Sequence, residues 1–488
     1  MKKLLIFLTC VALILGLVIA FGELNIGNNF QKFTEKYKNA GAVAENLKTS
    51  LTELTTGTTS EKQKIGRTLS YSERIQKGDL LLENGYPTLA VQEYISAQTL
   101  EKNKSEPSIK IGKVYLATNN AENAAEYFTN ALKIEPDSLE AKIYLGKTLM
   151  VKNDMAGAKK IFESLEPDNQ TARFYAGILS AFTLDTENAK KYFSEAIALN
   201  TTEEISTFSQ YFLSALETWE KTEGTEQTYL KALLTKAYNE SHEYELAISM
   251  ATETLKEKND YRDVWIMLGY ACLQKKDTTC ALDAFLSALK LDPEKAETQY
   301  FLGITSQELK DFSASAKYLE SALSNGFSPA SEAKKNLAQA YLELGNYSEA
   351  VKHYEDLVKE NPNGIDDFIR PIRLYIDNLL KPEKALTLAK EAVKNYPENA
   401  QSYNLLGWAQ LANGNPELAE KNLLKAIELD PNLSSAYLYL GQIAEAKNDF
   451  FKAKQYYKKA YDLGKGTAVA NTAAERYNAL IQQKPAQQ

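Results

Sequence analysis

The stretch WIMLGYACLQKKDTTCALDAFLSALKLDP, from Trp265 to Pro293, decides the fold class because its spacing recurs along the chain. Counted from Gly269, an alanine follows at +12, a phenylalanine at +16, an alanine at +19 and a proline at +24. The same ladder begins at Gly112 and at Gly407, where leucine replaces the phenylalanine in the second case. A chemical site occurs once and an architectural unit recurs, so the pattern indicates a structural repeat.

Weaker copies of this ladder fill most of residues 71–467. If each repeat starts seven residues before its glycine position, the starts are 71, 105, 139, 170, 228, 262, 296, 331, 366, 400 and 434. Most intervals between starts are 34 or 35 residues, a regularity that chance does not supply.

The recurring residues have a common physical explanation. Gly269 on a first helix and Ala281 on a second allow two antiparallel backbones to approach closely, while Phe285 fills the space beside them. Pro293 lacks an amide hydrogen and restrains the residue before it, so it tends to end the second helix. One such helix pair cannot bury its apolar stripe alone, and stacked neighbours therefore form a continuous core.

This pattern resembles the tetratricopeptide repeat (TPR) family, whose 34-residue consensus contains W-x2-L-G-x2-Y, A-x3-F and P. The residues that match it best are Trp265, Leu268, Gly269, Ala281, Phe285 and Pro293. The resemblance implies an all-α fold, a right-handed superhelical solenoid of about 11 helix-turn-helix repeats.

Two places depart from the regular interval. The segment EEISTFSQYFLSALETWEKTEGTEQ lengthens one interval by about 24 residues, and its apolar stripe predicts an extra helix near 204–222. Pro371 falls in the middle of a first helix and Pro382 opens the following helix, so the repeat at 366 is predicted to be distorted. The predicted parts are a first block of four repeats at 71–203, the inserted helix at 204–227, a second block of seven repeats at 228–467, and a capping helix with tail at 468–488.

The amino terminus carries a long apolar run. Lys2 and Lys3 precede Leu4 to Phe21, 18 residues without a charge that almost span a bilayer core. Residues 1–22 are therefore predicted to be a retained signal-anchor, a transmembrane helix, with a cleaved signal peptide ending at Ala20 as the alternative. The two early lysines favour a single-pass protein of the cell membrane whose repeats are extracytoplasmic.

Residues 23–70 separate this run from the repeats. Apolar and small residues from Phe30 to Leu54 alternate spacings of three and four, the seam of a coiled coil, although Gly41 weakens its middle. The seam predicts either a homodimer through residues 28–54 or an amphipathic helix folded back on the first repeat. The TTGTTSEKQK that follows has the composition of a flexible linker.

Composition and motifs count against several classes of function. The formal charge of −8 and the pI near 5.3 are unfavourable for a nucleic-acid surface. The two histidines, His242 and His353, lie in distant repeats and lack the partner spacing of a metal or catalytic site. The motifs G-x-S-x-G, H-E-x-x-H and C-x-x-C are absent from the sequence. We therefore expect no enzyme activity, no cofactor and no metal.

The three cysteines do not indicate a lipid attachment site or a metal site. Cys10 lies inside the apolar run without the small residue expected before a lipidated cysteine. Cys272 and Cys280 fall on facing helices of one repeat, with no further ligands for zinc. They are predicted to be buried free thiols or, outside the cytoplasm, a disulfide across the helix turn.

The resemblance also implies a binding surface, because TPR arrays generally bind peptides or partner proteins on a concave face lined by first-helix positions 2, 5, 9, 12 and 13. Carried over to this chain, the expected groove residues are Ile109, Ile143, Phe174, Ile178, Phe182, Ile266, Tyr270, Tyr300 and Trp408. These side chains form either a recognition groove or the packing beneath the extra helix and the neighbouring turns.

Together these features predict a non-catalytic scaffold, tethered to the membrane, that binds a partner protein or peptide in cell-envelope assembly. The alternative is an accessory TPR subunit of a complex for polysaccharide or glycan synthesis or export. The sequence names neither the partner nor the pathway.

Overall fold

The computed structural model describes residues 69–222, 226–360 and 364–482, and within these ranges all regular structure is helical. In chain order, α1 to α24 are Tyr71–Glu83, Pro87–Leu100, Glu106–Ala117, Ala121–Ile134, Leu139–Val151, Met155–Glu163, Gln170–Phe182, Thr186–Leu199, Glu203–Lys221, Gln227–Glu240, Tyr244–Glu257, Arg262–Gln274, Thr278–Leu291, Ala296–Glu308, Phe312–Ser324, Ala330–Glu343, Tyr347–Glu360, Asp366–Arg373, Pro382–Asn395, Ala400–Ala412, Pro416–Leu429, Ser434–Ala446, Phe450–Leu463 and Ala468–Gln482. A π-helical turn, Leu374–Asn378, follows α18. The all-α class implied by the family resemblance is confirmed for the described residues.

The described residues divide into two compact units, one up to Leu145 and one from Gly146, with the boundary inside α5. In each unit, consecutive helices pack against each other as the two members of a repeat. Each unit therefore has its own row of buried clusters, which lie between the packed helices.

Each well-formed repeat is built on contact between a glycine and the side chain 16 residues later. A Cβ atom on Gly269 would lie 2.6 Å from the Phe285 ring, and one on Gly112 would lie 2.7 Å from Phe128. Both rings are fully buried. The glycine is needed because the ring occupies the space of its missing side chain. In the irregular repeat at 228 the sizes are reversed. The larger Thr235 occupies the glycine position, and the small Ala251 occupies the position of the ring.

The turn inside a repeat has a recurring conformation. Lys276 adopts a left-handed backbone with φ of 62°, and Asp277 then caps α13 by accepting a 3.0 Å hydrogen bond from the Cys280 amide. Asn153 and Asp154 make the same turn before α6, with a φ of 62° and a 2.9 Å cap bond. The carboxylate satisfies an amide at the helix start that has no partner within the helix.

Both irregular places in the sequence correspond to irregular structure. The 19-residue α9 occupies the long interval. In the repeat at 366, α18 has 8 residues and continues into the π-helical turn. Pro371, buried within α18, has no amide hydrogen to donate to the helix ladder, which accounts for the local distortion. Pro382 begins α19, where a missing donor has no cost.

The apolar run at 1–22, the seam at 28–54 and the linker after it lie outside the described residues. Among the helices that the structure describes, none combines the length and apolarity needed to cross a bilayer. The tether and the dimer both stay predictions.

Candidate functional site

An open groove of about 1030 Å³ lies along the first helices of three consecutive repeats, α12, α14 and α16. We call it the main groove. Its floor is aromatic, formed by Tyr270, Tyr300, Phe301 and Phe327. The charged side chains on its rim are Arg262, Asp292, Glu294, Lys295, Glu297 and Glu332.

The aromatic floor is held in place by ring contacts. Tyr300 stacks on Phe327 with ring centroids 4.1 Å apart. Phe301 stacks on the core residue Phe285 at 5.3 Å and meets the edge of Tyr270 at 5.7 Å. Because these rings pack against the repeat cores and against each other, their positions are fixed.

A hydrogen bond from the floor orients one carboxylate on the rim. The Tyr300 hydroxyl donates a 2.7 Å bond to Oε1 of Glu332 in the next repeat, and accepts a 3.2 Å bond from Nδ2 of Asn336. Burial and this bond to Glu332 raise the pKa of Tyr300, so the phenol stays protonated and stays a donor.

A second, smaller groove of about 290 Å³ adjoins the main groove and extends the surface to α10. It shares Tyr270, Glu297 and Phe301 with the main groove and adds Lys236 and Ile266. First helices of four consecutive repeats therefore line one continuous surface.

The rim of the main groove is acidic. Arg262 is occupied by ion pairs to Asp292 at 2.6 Å and to Asp263 at 2.7 Å. Lys295 lies 3.9 Å from Glu297. Among the described residues, Glu294 and Glu332 have no such cation. The rim offers four carboxylates against two cations.

Of the nine residues expected to line a groove, Ile266, Tyr270 and Tyr300 line these two surfaces. Trp408 is half-buried and stacks on Tyr439 with centroids 5.5 Å apart. Ile143 is half-buried. Ile109 is buried in a core cluster and lines neither of these grooves.

Phe174 was expected to line the partner groove, and this expectation is wrong, because the side chain is 3% exposed and packs against the inserted helix. Its ring lies 6.2 Å from Phe208 and 6.3 Å from Phe212, both on the inserted helix α9. The apolar first-helix face of this repeat is therefore packing beneath the extra helix, the second of the two sequence interpretations.

Ile178 is a further correction, since it is fully buried. Its carbonyl accepts a 2.8 Å hydrogen bond from the Tyr238 hydroxyl on α10. Phe182 meets the edge of the Tyr238 ring at 6.4 Å. The next repeat thus fills the space where a partner was expected.

A half-buried carboxylate, Glu243, lies beside these packed first helices. Glu243, in the turn before α11, accepts a 2.9 Å hydrogen bond from the Tyr175 hydroxyl on α7. Burial raises the pKa of Glu243, although the Tyr175 bond and the nearby Lys147 charge act in the opposite direction.

Three important groove residues were absent from the sequence-based set. Phe301 occupies first-helix position 6, which was not among the expected lining positions. Phe327 lies in the loop before α16, where helical position numbers do not apply. Glu332 does occupy position 2, and a wider use of polar first-helix positions would have found it.

Cys272 and Cys280 are joined in a disulfide, with Cα atoms 5.8 Å apart across the turn between α12 and α13. This geometry corresponds to the disulfide alternative of the sequence. In the part of the chain that the structure describes, no group of three or more His, Cys, Asp or Glu residues is placed to hold a metal ion.

Models of the family described as "Tetratricopeptide repeat" match residues 82–179, 236–296, 302–365, 378–434 and 422–455. These matches together span more than half of the sequence. The chain belongs to the tetratricopeptide repeat family. Its TPR repeats support the class of protein–protein interaction scaffold.

Known proteins resemble parts of this TPR chain. A TPR repeat-containing protein of Methanocaldococcus jannaschii is 30% identical over 164 residues, which are 30% of this chain and 28% of that protein. The CTR9 homolog of Arabidopsis thaliana is 26% identical over 114 residues, 22% of this chain and 10% of that protein. The crystal structure of yeast Tom70 has a TM-score of 0.30 and 15% identity, covering 84% of this chain and 95% of that one. The chain thus spans less than a third of either curated relative.

Proposed function

We propose that this TPR protein is a non-catalytic scaffold that binds an extended segment of a partner protein in the main groove. The observation that carries the proposal is the open surface of about 1030 Å³ formed by side chains of three consecutive repeats. Its aromatic floor supplies apolar contact and its rim supplies charged groups, the two components of a protein-binding surface.

The length of the groove fits an extended segment. Arg262 and Gln274, at opposite ends of α12, both line it. Their separation along the helix corresponds to a rise of about 18 Å. Extended chain advances about 3.3 Å per residue, so the groove has room for about five or six residues.

The proposal includes a membrane tether and an extracytoplasmic position in a cell-envelope assembly. Supporting it are the uncharged run Leu4 to Phe21 and the preceding Lys2 and Lys3. Protease protection in intact cells and spheroplasts tests this part, together with the mass of the mature amino terminus. Digestion of the repeats from outside with Met1 retained is the expected result, and protection of the repeats overturns the topology.

The seam at 28–54 supports a homodimer as part of the same proposal. Sedimentation of the protein with and without this segment tests it. The dimer mass is expected only with the segment present, and a monomer mass in both samples removes the dimer.

Groove variants test the binding function. Ile304 is half-buried and lines the main groove, whereas Leu286 is 40% exposed on the second helix α13. We expect Ile304→Asp to lose the proteins that the wild-type chain captures, with the helical circular dichroism signal retained. Leu286→Asp is the matched control and is expected to retain capture. Equal capture by both variants would place the binding surface elsewhere.

A further inference from the structure

Some neighbouring repeats of this chain are joined by a charged contact between their first helices, and the main groove lacks the lysine of that contact. First-helix position 9 of one repeat lies against position 6 of the next. Lys113 at position 9 lies 4.5 Å above the ring of Tyr144 at position 6, and it also forms an ion pair with Glu140 at position 2 of that repeat. Lys113 therefore makes a cation–π contact and an ion pair with the next repeat at the same time.

The contact between a position-9 lysine and a position-6 ring occurs again one repeat later. Lys147, again at position 9, lies 4.7 Å above the ring of Tyr175 at position 6. In the first repeat the charges are exchanged, with Asp79 at position 9 accepting a 2.9 Å ion pair from Lys110 at position 6. In the Asp79 and Lys113 contacts the chain thus supplies its own counter-charge within the first-helix face, and Lys147 supplies a cation over a ring.

The main groove keeps the carboxylates but lacks that lysine. Position 9 is Tyr270 in one repeat and Ile304 in the next, whereas position 2 of the following repeats remains acidic, as Glu297 and Glu332. Glu332 holds only the Tyr300 hydroxyl, and within the described residues it has no ion-pair partner. Glu294 on the same rim is exposed and is likewise without a cation in the described ranges.

The ring faces of the floor are also without a cation from the chain itself. Across the described residues, no Lys or Arg lies over the rings of Tyr270, Tyr300 or Phe301. A cation positioned over such a face is attracted by the ring quadrupole, and the effect adds to that of a nearby carboxylate. The main groove thus presents carboxylates and ring faces of the kind that Lys113 contacts, with Tyr300 as the ring nearest Glu332, since position 6 of that repeat is Asn336.

We infer that the partner segment in the main groove is basic, and that it places a Lys or Arg side chain beside Glu332 and Glu294 with a neighbouring apolar side chain on the aromatic floor. This inference rests on the proposed function and specifies its ligand. The partner's cation takes the part that Lys113 plays toward Glu140 and Tyr144. Complementary charge of this kind selects the partner and increases the association rate.

Three fluorescein-labelled peptides of equal length test the inference by anisotropy with the purified full chain. One alternates Lys with Leu, the second replaces each Lys by Glu, and the third replaces each Leu by Ser. The Lys–Leu peptide is expected to bind most tightly, and its affinity is expected to fall as salt screens the charges. Every comparison is made between proteins in the same detergent, so binding of the peptides to micelles cancels.

Charge-reversed variants locate the interaction. Glu294→Lys with Glu332→Lys is expected to weaken the Lys–Leu peptide by at least about tenfold and to improve binding of the Glu–Leu peptide. Glu332→Gln keeps a hydrogen-bond acceptor for Tyr300 and removes the charge, so it tests the electrostatic effect without disturbing the floor. The matched control, Glu187→Lys with Asp283→Lys, reverses two exposed charges on second helices and is expected to leave the affinity within about twofold.

The outcomes separate this inference from the proposed function. If the Glu–Leu peptide binds best, or if the charge variants and their control behave alike while Ile304→Asp abolishes binding, the groove binds protein but its ligand is not basic. If none of the three peptides binds, the inference is overturned, and capture by the Ile304→Asp and Leu286→Asp proteins then decides the proposed function independently.

Discussion

The Tyr238 hydroxyl donates a 2.8 Å hydrogen bond to the carbonyl of Ile178, 60 residues earlier in the chain. Both residues are fully buried. The bond joins α10 to α7 across the insertion that contains α9, so it helps to close the first-helix face around Phe174. The insertion therefore converts a surface that TPR arrays commonly leave open into interior.

Tyr238→Phe tests the contribution of this bond. The change removes a buried donor and keeps the ring, so we expect a loss of about 1 to 2 kcal/mol in the free energy of unfolding, measured with guanidinium. Tyr229→Phe, on the same helix but half-buried, is the control and is expected to change stability by less than about 0.5 kcal/mol. Equal losses in the two variants would contradict the assigned role of the bond.

Gly269→Ala tests the contact on which the repeats are built. The new Cβ would lie 2.6 Å from the fully buried Phe285 ring, which has no free space to enter. We expect a loss of about 1 to 3 kcal/mol in the free energy of unfolding. Gly364→Ala is the control, because a Cβ there meets nothing within 4 Å. A stable Gly269→Ala protein would show that the ring is free to move away.

The pairing of Cys272 with Cys280 is open to direct chemical test. Trypsin cuts after Lys275 and Lys276, so a non-reduced digest is expected to contain the peptides 263–275 and 277–290 linked by one disulfide. Reduction before alkylation is expected to release them as two modified peptides. Recovery of both peptides alkylated from the native, non-reduced protein would instead establish free thiols.

His353 gives the fold a pH dependence whose sign follows from its environment. Burial, and then the Lys352 charge, lower the pKa of His353 below its usual 6.5, although Asp356, Glu349 and Glu320 oppose the shift. The unfolded chain then binds the proton more readily than the folded chain does. Stability from this group is present above about pH 6.5 and is lost as the pH falls toward the lower pKa of the folded state.

The variant His353→Gln isolates the contribution of this histidine to stability. The free energy of unfolding is measured for the wild type and the variant at about pH 7.5 and about pH 5.5. We expect the wild type to lose more stability than the variant over that interval. The same loss in both proteins would show that the histidine titrates alike in the folded and unfolded chain.

The sequence predicted the repeat architecture because the ladder from Gly269 to Pro293 records local packing that every repeat must satisfy. It also located α9 and the distortion at Pro371, since each interrupts the regular interval. The close fit between Gly269 and the Phe285 ring was only partly predictable. The spacing of 16 and the filling of space by Phe285 followed from the sequence, whereas the direct contact of this ring with Gly269 depends on how closely the two helices approach.

The candidate site was predicted less well, for a physical reason. Position numbers assign Phe174 and Tyr270 to the same kind of surface, but the insertion buries the first and leaves the second half-exposed. Which first-helix faces stay open depends on how α9 and α10 pack, a long-range relationship that a repeat pattern does not encode. Phe327 was missed because it belongs to a loop.

The central claim is that the partner lies in the main groove, and site-specific photo-crosslinking in cells tests it most directly. A photoreactive phenylalanine analogue replaces Tyr270 in one protein and, as the control, Leu286 on the second helix α13 in another. The account predicts a protein adduct from position 270 that is lost when Glu294 and Glu332 are changed to Lys, with no adduct from position 286. An adduct from position 286 alone would contradict it. An adduct from position 270 that survives those charge reversals unchanged would keep the partner in the groove and contradict only its basic character.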